Sequence, residues 1–139
     1  MEKILAIDDE EDILNLIRDI LSAEGFEVET SLSAEYGITL LERYSPDLIL
    51  LDLMLPGMDG WEFLRIIKSD DRFKDIPVIL LTCRGELRDK VLGLESGAAD
   101  YITKPFDNKE LIRRVRNILE VEKRILHVEN DKDTQALVR

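Results

Sequence analysis

Three short stretches of the chain are almost continuously apolar: Ile4-Leu5-Ala6-Ile7, Leu48-Ile49-Leu50-Leu51 and Val78-Ile79-Leu80-Leu81. Runs of this length with no polar alternation predict strands covered on both faces. Residues 26–30 and 100–103 predict two further strands, less uniformly apolar. Between them the pattern changes to helical spacing. Ile13, Leu14, Leu16, Ile17, Ile20 and Leu21 form a stripe that ends at Gly25. Ser33 is placed to cap a second helix, with Ile38, Leu40 and Leu41 facing inward and Pro46 as its stop. A third helix follows Gly60 with Phe63, Leu64, Ile66 and Ile67, and a fourth spans roughly 86–95, ending at Gly97. The fifth starts near Asp107, just after Pro105, and carries Leu111, Ile112, Val115, Ile118 and Leu119. Five strand–helix units in strict alternation predict an α/β fold, a parallel sheet with helices on both faces.

At 139 residues with 45% hydrophobic and 35% charged residues, the chain has the composition of one soluble domain with a real core. No apolar run approaches a membrane span, and Met1-Glu2-Lys3 does not open a signal peptide. A single cysteine, Cys83, permits no internal disulfide and points to a reducing cytoplasm. The net charge of −11 lies wholly in residues 1–55, which hold 3 Lys/Arg against 14 Asp/Glu. Such a surface repels nucleic acid and anionic membrane and attracts cations, so neither is expected as a direct partner of this segment.

In a parallel sheet with helical crossovers, functional side chains gather beyond the carboxyl ends of the strands. Here the first strand delivers Asp8 and Asp9, the third Asp52, the fourth Thr82 and the fifth Lys104. Each has a duller reading alone: a cap, a solvated strand end, a surface ion pair. Their arrival at one rim is what carries weight. Carboxylates crowded there raise one another's pKa unless a cation joins them, and Mg²⁺ suits one or two carboxylates plus a phosphate oxygen. Phosphoryl transfer needs a positioned nucleophile and charge neutralisation at the equatorial oxygens. Asp52 can be that nucleophile, with the metal, Lys104 and the Thr82 hydroxyl each meeting one oxygen.

Residues 2–122 resemble the receiver domain of bacterial two-component response regulators. The resemblance rests on Ile7-Asp8-Asp9-Glu10, on the run from Leu51-Asp52 through Pro56-Gly57-Met58-Asp59-Gly60, on Leu81-Thr82, and on Gly97-Ala98-Ala99-Asp100-Tyr101-Ile102-Thr103-Lys104-Pro105-Phe106. It implies a flavodoxin-like, doubly wound five-stranded sheet of order 2-1-3-4-5 with five helices. It further implies that Asp52 takes phosphate from a histidine kinase or phosphotransfer protein. Asp9, Asp52 and the Met54 carbonyl would bind Mg²⁺ directly, and Asp8 through water. A cis Lys104–Pro105 peptide is implied, as is a Thr82/Tyr101 switch pair that reshapes the face of the fourth helix, fifth strand and fifth helix, where receivers dimerise or meet partners. Met54 and Arg84 stand at positions that tune phosphoryl lifetime, and Cys83, where the family often has alanine, reads as a small packing residue. Such a domain catalyses only its own phosphorylation and dephosphorylation.

Three other readings compete. A hydrolase of the haloacid dehalogenase type would place its aspartate nucleophile on the first strand with a second Asp two residues on, where this chain has Glu10 after Asp8. A flavin or nucleotide module needs a Gly/Ser/Thr-rich loop after the first strand, where this chain has Asp8-Asp9-Glu10-Glu11-Asp12. A phosphate-independent interaction scaffold is compatible with the sequence but leaves the acceptor set idle. Residues 123–139 read as a linker and the start of a second, truncated receiver. At an offset of 121 positions, residues 124–139 match residues 3–18 with five identities and six conservative pairs in sixteen. Glu129-Asn130 replaces the acidic pair there, which weakens metal binding by that copy, and His127 falls in a strand-like run. The competing reading is a solvated extension of the fifth helix.

Overall fold

The computed structural model describes the backbone of residues 1–83 and 87–138 and the side chains of residues 1–83 and 91–125. Five strands, β1 (Lys3–Ile7), β2 (Glu27–Ser31), β3 (Leu48–Asp52), β4 (Val78–Cys83) and β5 (Asp100–Lys104), alternate with five helices. These are α1 (Glu11–Ala23), α2 (Ala34–Leu41), α3 (Gly60–Lys68), α4 (Leu87–Glu95) and α5 (Asn108–Val138). All strand pairs are parallel and the order is β2-β1-β3-β4-β5. The parallel α/β sheet is the one expected from the alternation, and its flavodoxin-like order is the one the resemblance implied.

The apolar runs explain the layering. Ile4, Ala6, Leu48, Leu50, Ile79, Leu81 and Ile102 point to one face, where α1 and α5 cover them. Leu5, Ile7, Ile49, Leu51, Val78 and Leu80 point to the other, against α2 and α3. Each such side chain contributes about 1.5–3 kcal/mol on leaving water. On the second face α4 lies close to β4, because Gly93 presents no side chain to Leu80.

Three details differ from the sequence expectation. Leu16 is 42% exposed, so the inward stripe of α1 is Leu14, Ile17, Ile20 and Leu21, with Ile13 at its edge. Helix α2 is indeed capped by Ser33, whose Oγ accepts from the Tyr36 amide at 3.1 Å, but it stops at Leu41 instead of running on toward Pro46. Residues 124–138, including the strand-like run around His127, continue α5 as a helix. A 31-residue helix is long for a globular domain. A single unpaired strand would leave its amides without partners, whereas a helix satisfies them internally. Among the described residues no helix is long and apolar enough to cross a membrane.

Candidate phosphoryl-transfer site

The carboxyl ends of β1, β3, β4 and β5 meet at one rim. After Ile7 the ladder runs on for one bond, from the Asp8 amide to the Ser31 carbonyl at 3.1 Å, and this pins Asp8 inside. Its side chain is fully buried, with Oδ1 accepting from the Glu10 amide at 2.9 Å. Asp9 points out and is exposed. Asp8 therefore does not cap α1: the capping position belongs to Glu10, which makes no side-chain cap bond.

Asp52 ends β3 and is 5% exposed. Its Oδ1 accepts from the Met54 amide at 3.0 Å, which leaves Oδ2 turned toward β5. There the Lys104 Nζ lies 3.3 Å from Asp52 Oδ2 and 2.6 Å from Asp8 Oδ2, with Glu10 Oε1 at 4.0 Å. The Lys104–Pro105 peptide is cis. One ammonium thus bridges two buried carboxylates. Burial pushes the Asp52 carboxyl above the ordinary carboxylate range, and the charge of Asp8 adds to it; the Met54 amide and Lys104 pull downward without cancelling the rise. Burial works against the Lys104 ammonium, but the hydrogen bond to Asp8 and the charge of Asp52 outweigh it and hold its pKa above the usual lysine value.

Thr82 sits on β4 beside Thr103 of β5. It is 3% exposed, and its hydroxyl has no hydrogen-bond partner among the described residues. A buried hydroxyl left so costs about 1–3 kcal/mol, which natural sites tolerate where another group completes them. Tyr101 is half-buried on β5, with the Arg114 guanidinium 5.4 Å from its ring centre. Cys83 is exposed and not a packing residue, and Arg84 lies outside the described residues. Met54 is 70% exposed.

The donor set fits a hard divalent cation. Asp8, Asp9 and Glu10 each bring a carboxylate oxygen within 4.8 Å of the others, and Asp52 adjoins Asp8 through Lys104. Glu10 was not singled out from the sequence. It is the third member of an acidic run, and only the turn after β1 folds it back toward Lys104.

The family model of the response regulator receiver domain matches residues 4–116. The chain is 44% identical over 119 residues to the DNA-binding dual master transcriptional regulator RpaA of Synechocystis sp., covering 86% of this chain and 49% of that protein. It spans about half the length of the curated relatives it matches. Crystal structures of NtrX from Brucella abortus include one with TM-score 0.88 and 34% identity, covering 94% of this chain and 29% of that one. The chemotaxis response regulator CheY4 of Vibrio cholerae aligns with TM-score 0.80 and 28% identity over 85% of this chain and 98% of its own.

Proposed function

The chain belongs to the response regulator receiver family of two-component signal transduction, and on that premise we propose that it accepts a phosphoryl group on Asp52 and switches a partner surface in response. The observation that carries this reading is the buried Asp52, bridged to Asp8 by Lys104 at the rim where the buried Thr82 also stands.

Asp52 Oδ2 attacks the phosphorus of a phosphohistidine on a histidine kinase or phosphotransfer protein. The P–N bond breaks, the imidazole leaves with the electron pair, and an acyl phosphate remains on Asp52. Asp9, Asp52 and the Met54 carbonyl would hold Mg²⁺, with Asp8 acting through water, and the ion would supply charge neutralisation for the transferred group. Lys104 exchanges its Asp52 carboxylate contact for a phosphoryl oxygen and offsets part of the negative charge that the phosphoryl group brings. The Thr82 hydroxyl donates to another oxygen. Movement of Thr82 frees the space that Tyr101 follows into, biasing a two-state element.

That element is the α4–β5–α5 face. Val91, Leu92 and Leu94 on α4 are 49%, 41% and 46% exposed, a cluster of apolar side chains suited to a homodimer or an effector. Output activity, including DNA binding of the kind named for RpaA, would lie in other parts of a longer protein. The match of residues 124–139 to the domain's own start supports a second receiver as the next module, and a cytoplasmic location fits a kinase partner. Incubation with Mg²⁺ and acetyl phosphate followed by intact mass measurement tests the reading. Wild type gains one base-labile phosphoryl mass that Asp52→Asn and EDTA abolish; a wild-type mass that stays unchanged favours a phosphate-independent scaffold.

A further inference from the structure

The loop between β3 and α3 connects Asp52 and Met54 to the first turn of α3, and most of its hydrogen bonds are local. The Met54 amide returns to Asp52 Oδ1, the Gly60 amide donates to the Leu53 carbonyl at 3.1 Å, and Asp59 Oδ1 caps α3 through the Glu62 amide at 2.9 Å. One bond leaves this neighbourhood. The Met58 amide donates to Glu35 Oε1 at 2.5 Å, across 23 residues of sequence. Among the described residues, the other hydrogen bonds of residues 53–59 stay within β3, β4 and the first turn of α3.

The loop is shaped for this contact. Gly57 takes φ +72, and a Cβ there would stand 3.0 Å from the same Glu35 oxygen. Both the backbone conformation and the close approach therefore select glycine. Glu35 in turn stands on an anchored helix end. The Ser33 amide donates to Ser31 Oγ at 3.4 Å, Ser31 Oγ donates to the Ser33 carbonyl at 2.7 Å, and the Ser31 carbonyl receives the Asp8 amide. A continuous path thus runs from Asp8, through the start of α2, to the loop that follows Asp52.

We infer that Glu35 is a positioning residue for the phosphoryl site: its carboxylate straps the β3–α3 loop to α2 and fixes the loop in the conformation that presents the Asp52 carboxylate and the Met54 carbonyl together. This rests on the metal-dependent acceptor reading above. Glu35 is itself exposed and adds nothing to the core. Its alternative role is only that of an acidic residue in the first turn of α2, favourable to the helix dipole. The two roles separate by substitution. A glutamine keeps the acceptor oxygen and loses the charge, so it preserves the strap and forfeits the dipole contribution; alanine loses both.

Without the strap the loop samples other conformations, and apparent Mg²⁺ affinity falls by the fraction of chains that remain competent. Loss of a charge-assisted bond at an exposed site corresponds to roughly a three- to tenfold weaker apparent affinity. The test is a Mg²⁺ titration of the full chain followed by fluorescence of Trp61, the sole tryptophan, which stands at the second position of α3. Amide exchange at Met58 and metal-free thermal unfolding are measured alongside. Glu35→Ala is expected to weaken Mg²⁺ binding by that factor, to lose Met58 protection and to leave the unfolding midpoint within a degree or two, while Glu35→Gln stays close to wild type in affinity. Equal Mg²⁺ affinity in wild type and Glu35→Ala, or equal impairment of Ala and Gln variants, overturns the strap and leaves the acceptor reading standing. A wild-type chain that binds no Mg²⁺ overturns both.

Discussion

Removing the charge of Asp52 should make the metal-free protein more stable, although it destroys the acceptor. Asp8 and Asp52 both contact Lys104 Nζ, at 2.6 and 3.3 Å, so their nearest oxygens lie within about 6 Å of each other. At an effective dielectric constant of about 20, like charges at that spacing repel by about 3 kcal/mol. Burial adds to the cost of the second carboxylate, and Lys104, shared between the two, offsets only part of it. The sign is fixed by the raised pKa of Asp52: the fold disfavours its charged form. We expect Asp52→Asn to gain about 1–2 kcal/mol in EDTA, a rise in Tm of about 3–8 °C. Because the folded pKa lies above the unfolded value near 3.9, the penalty is complete above the folded pKa, shrinks as pH falls through it, and is gone below about 4. Thermal unfolding of both chains from about pH 7 down to about pH 4.5 therefore shows a gap that narrows on acidification. Mg²⁺ narrows it as well, since wild type binds the ion more tightly. A lower Tm for the variant, or a gap indifferent to pH, refutes the reasoning.

Gly60 lies against the backbone of β3, where a Cβ would stand 2.5 Å from the Asp52 carbonyl oxygen and 2.6 Å from Leu53 Cα. Gly60→Ala should cost about 1–3 kcal/mol by denaturant unfolding and weaken Mg²⁺ binding, because the loop must shift to admit the methyl group. Thr82→Ala removes a buried hydroxyl that has no partner among the described residues, so the unmodified chain should keep or slightly raise its Tm while the acyl phosphate forms more slowly in a rapid-quench assay. The Tyr44 phenol is pushed up to about 12, first by burial and then by Glu27, Glu29 and Asp47. Between about pH 10 and 12 the unfolded chain loses this proton while the folded one keeps it, so stability falls with rising pH. Tyr44→Phe should flatten that alkaline decline in chemical denaturation, and an unchanged slope would contradict it.

The hydrophobic pattern made the strands legible because β1, β3 and β4 are covered on both faces and tolerate no polar residue. It located the rim for the same reason: the first polar residue after each run is where the sheet ends, which marks Asp8 and Asp52. Edge elements were less legible. The end of α2 at Leu41 is set by turn bonds from Arg43 and Tyr44 to the Leu40 carbonyl, and composition does not reveal them. Leu16 reads as a core residue by spacing, yet the narrow stripe of α1 leaves it outside. Glu10 and Glu35 were missed for one shared reason. Each acts through a fold-back or a contact across many residues, so neither spacing nor period announces it. Thr82 was identifiable as a candidate, but the burial of its hydroxyl is a property of packing. Residues 124–138 show that an apolar run such as Ile125-Leu126-His127-Val128 does not choose between strand and helix without a sheet to join.

The most direct test of the account is chemical identification of the acceptor. The chain is phosphorylated with acetyl phosphate in Mg²⁺, reduced with borohydride, which converts an aspartyl phosphate to homoserine, and mapped by peptide mass spectrometry. The account predicts homoserine at position 52 alone and none in EDTA. Reduction at another carboxylate, or none in Mg²⁺-replete protein, contradicts it.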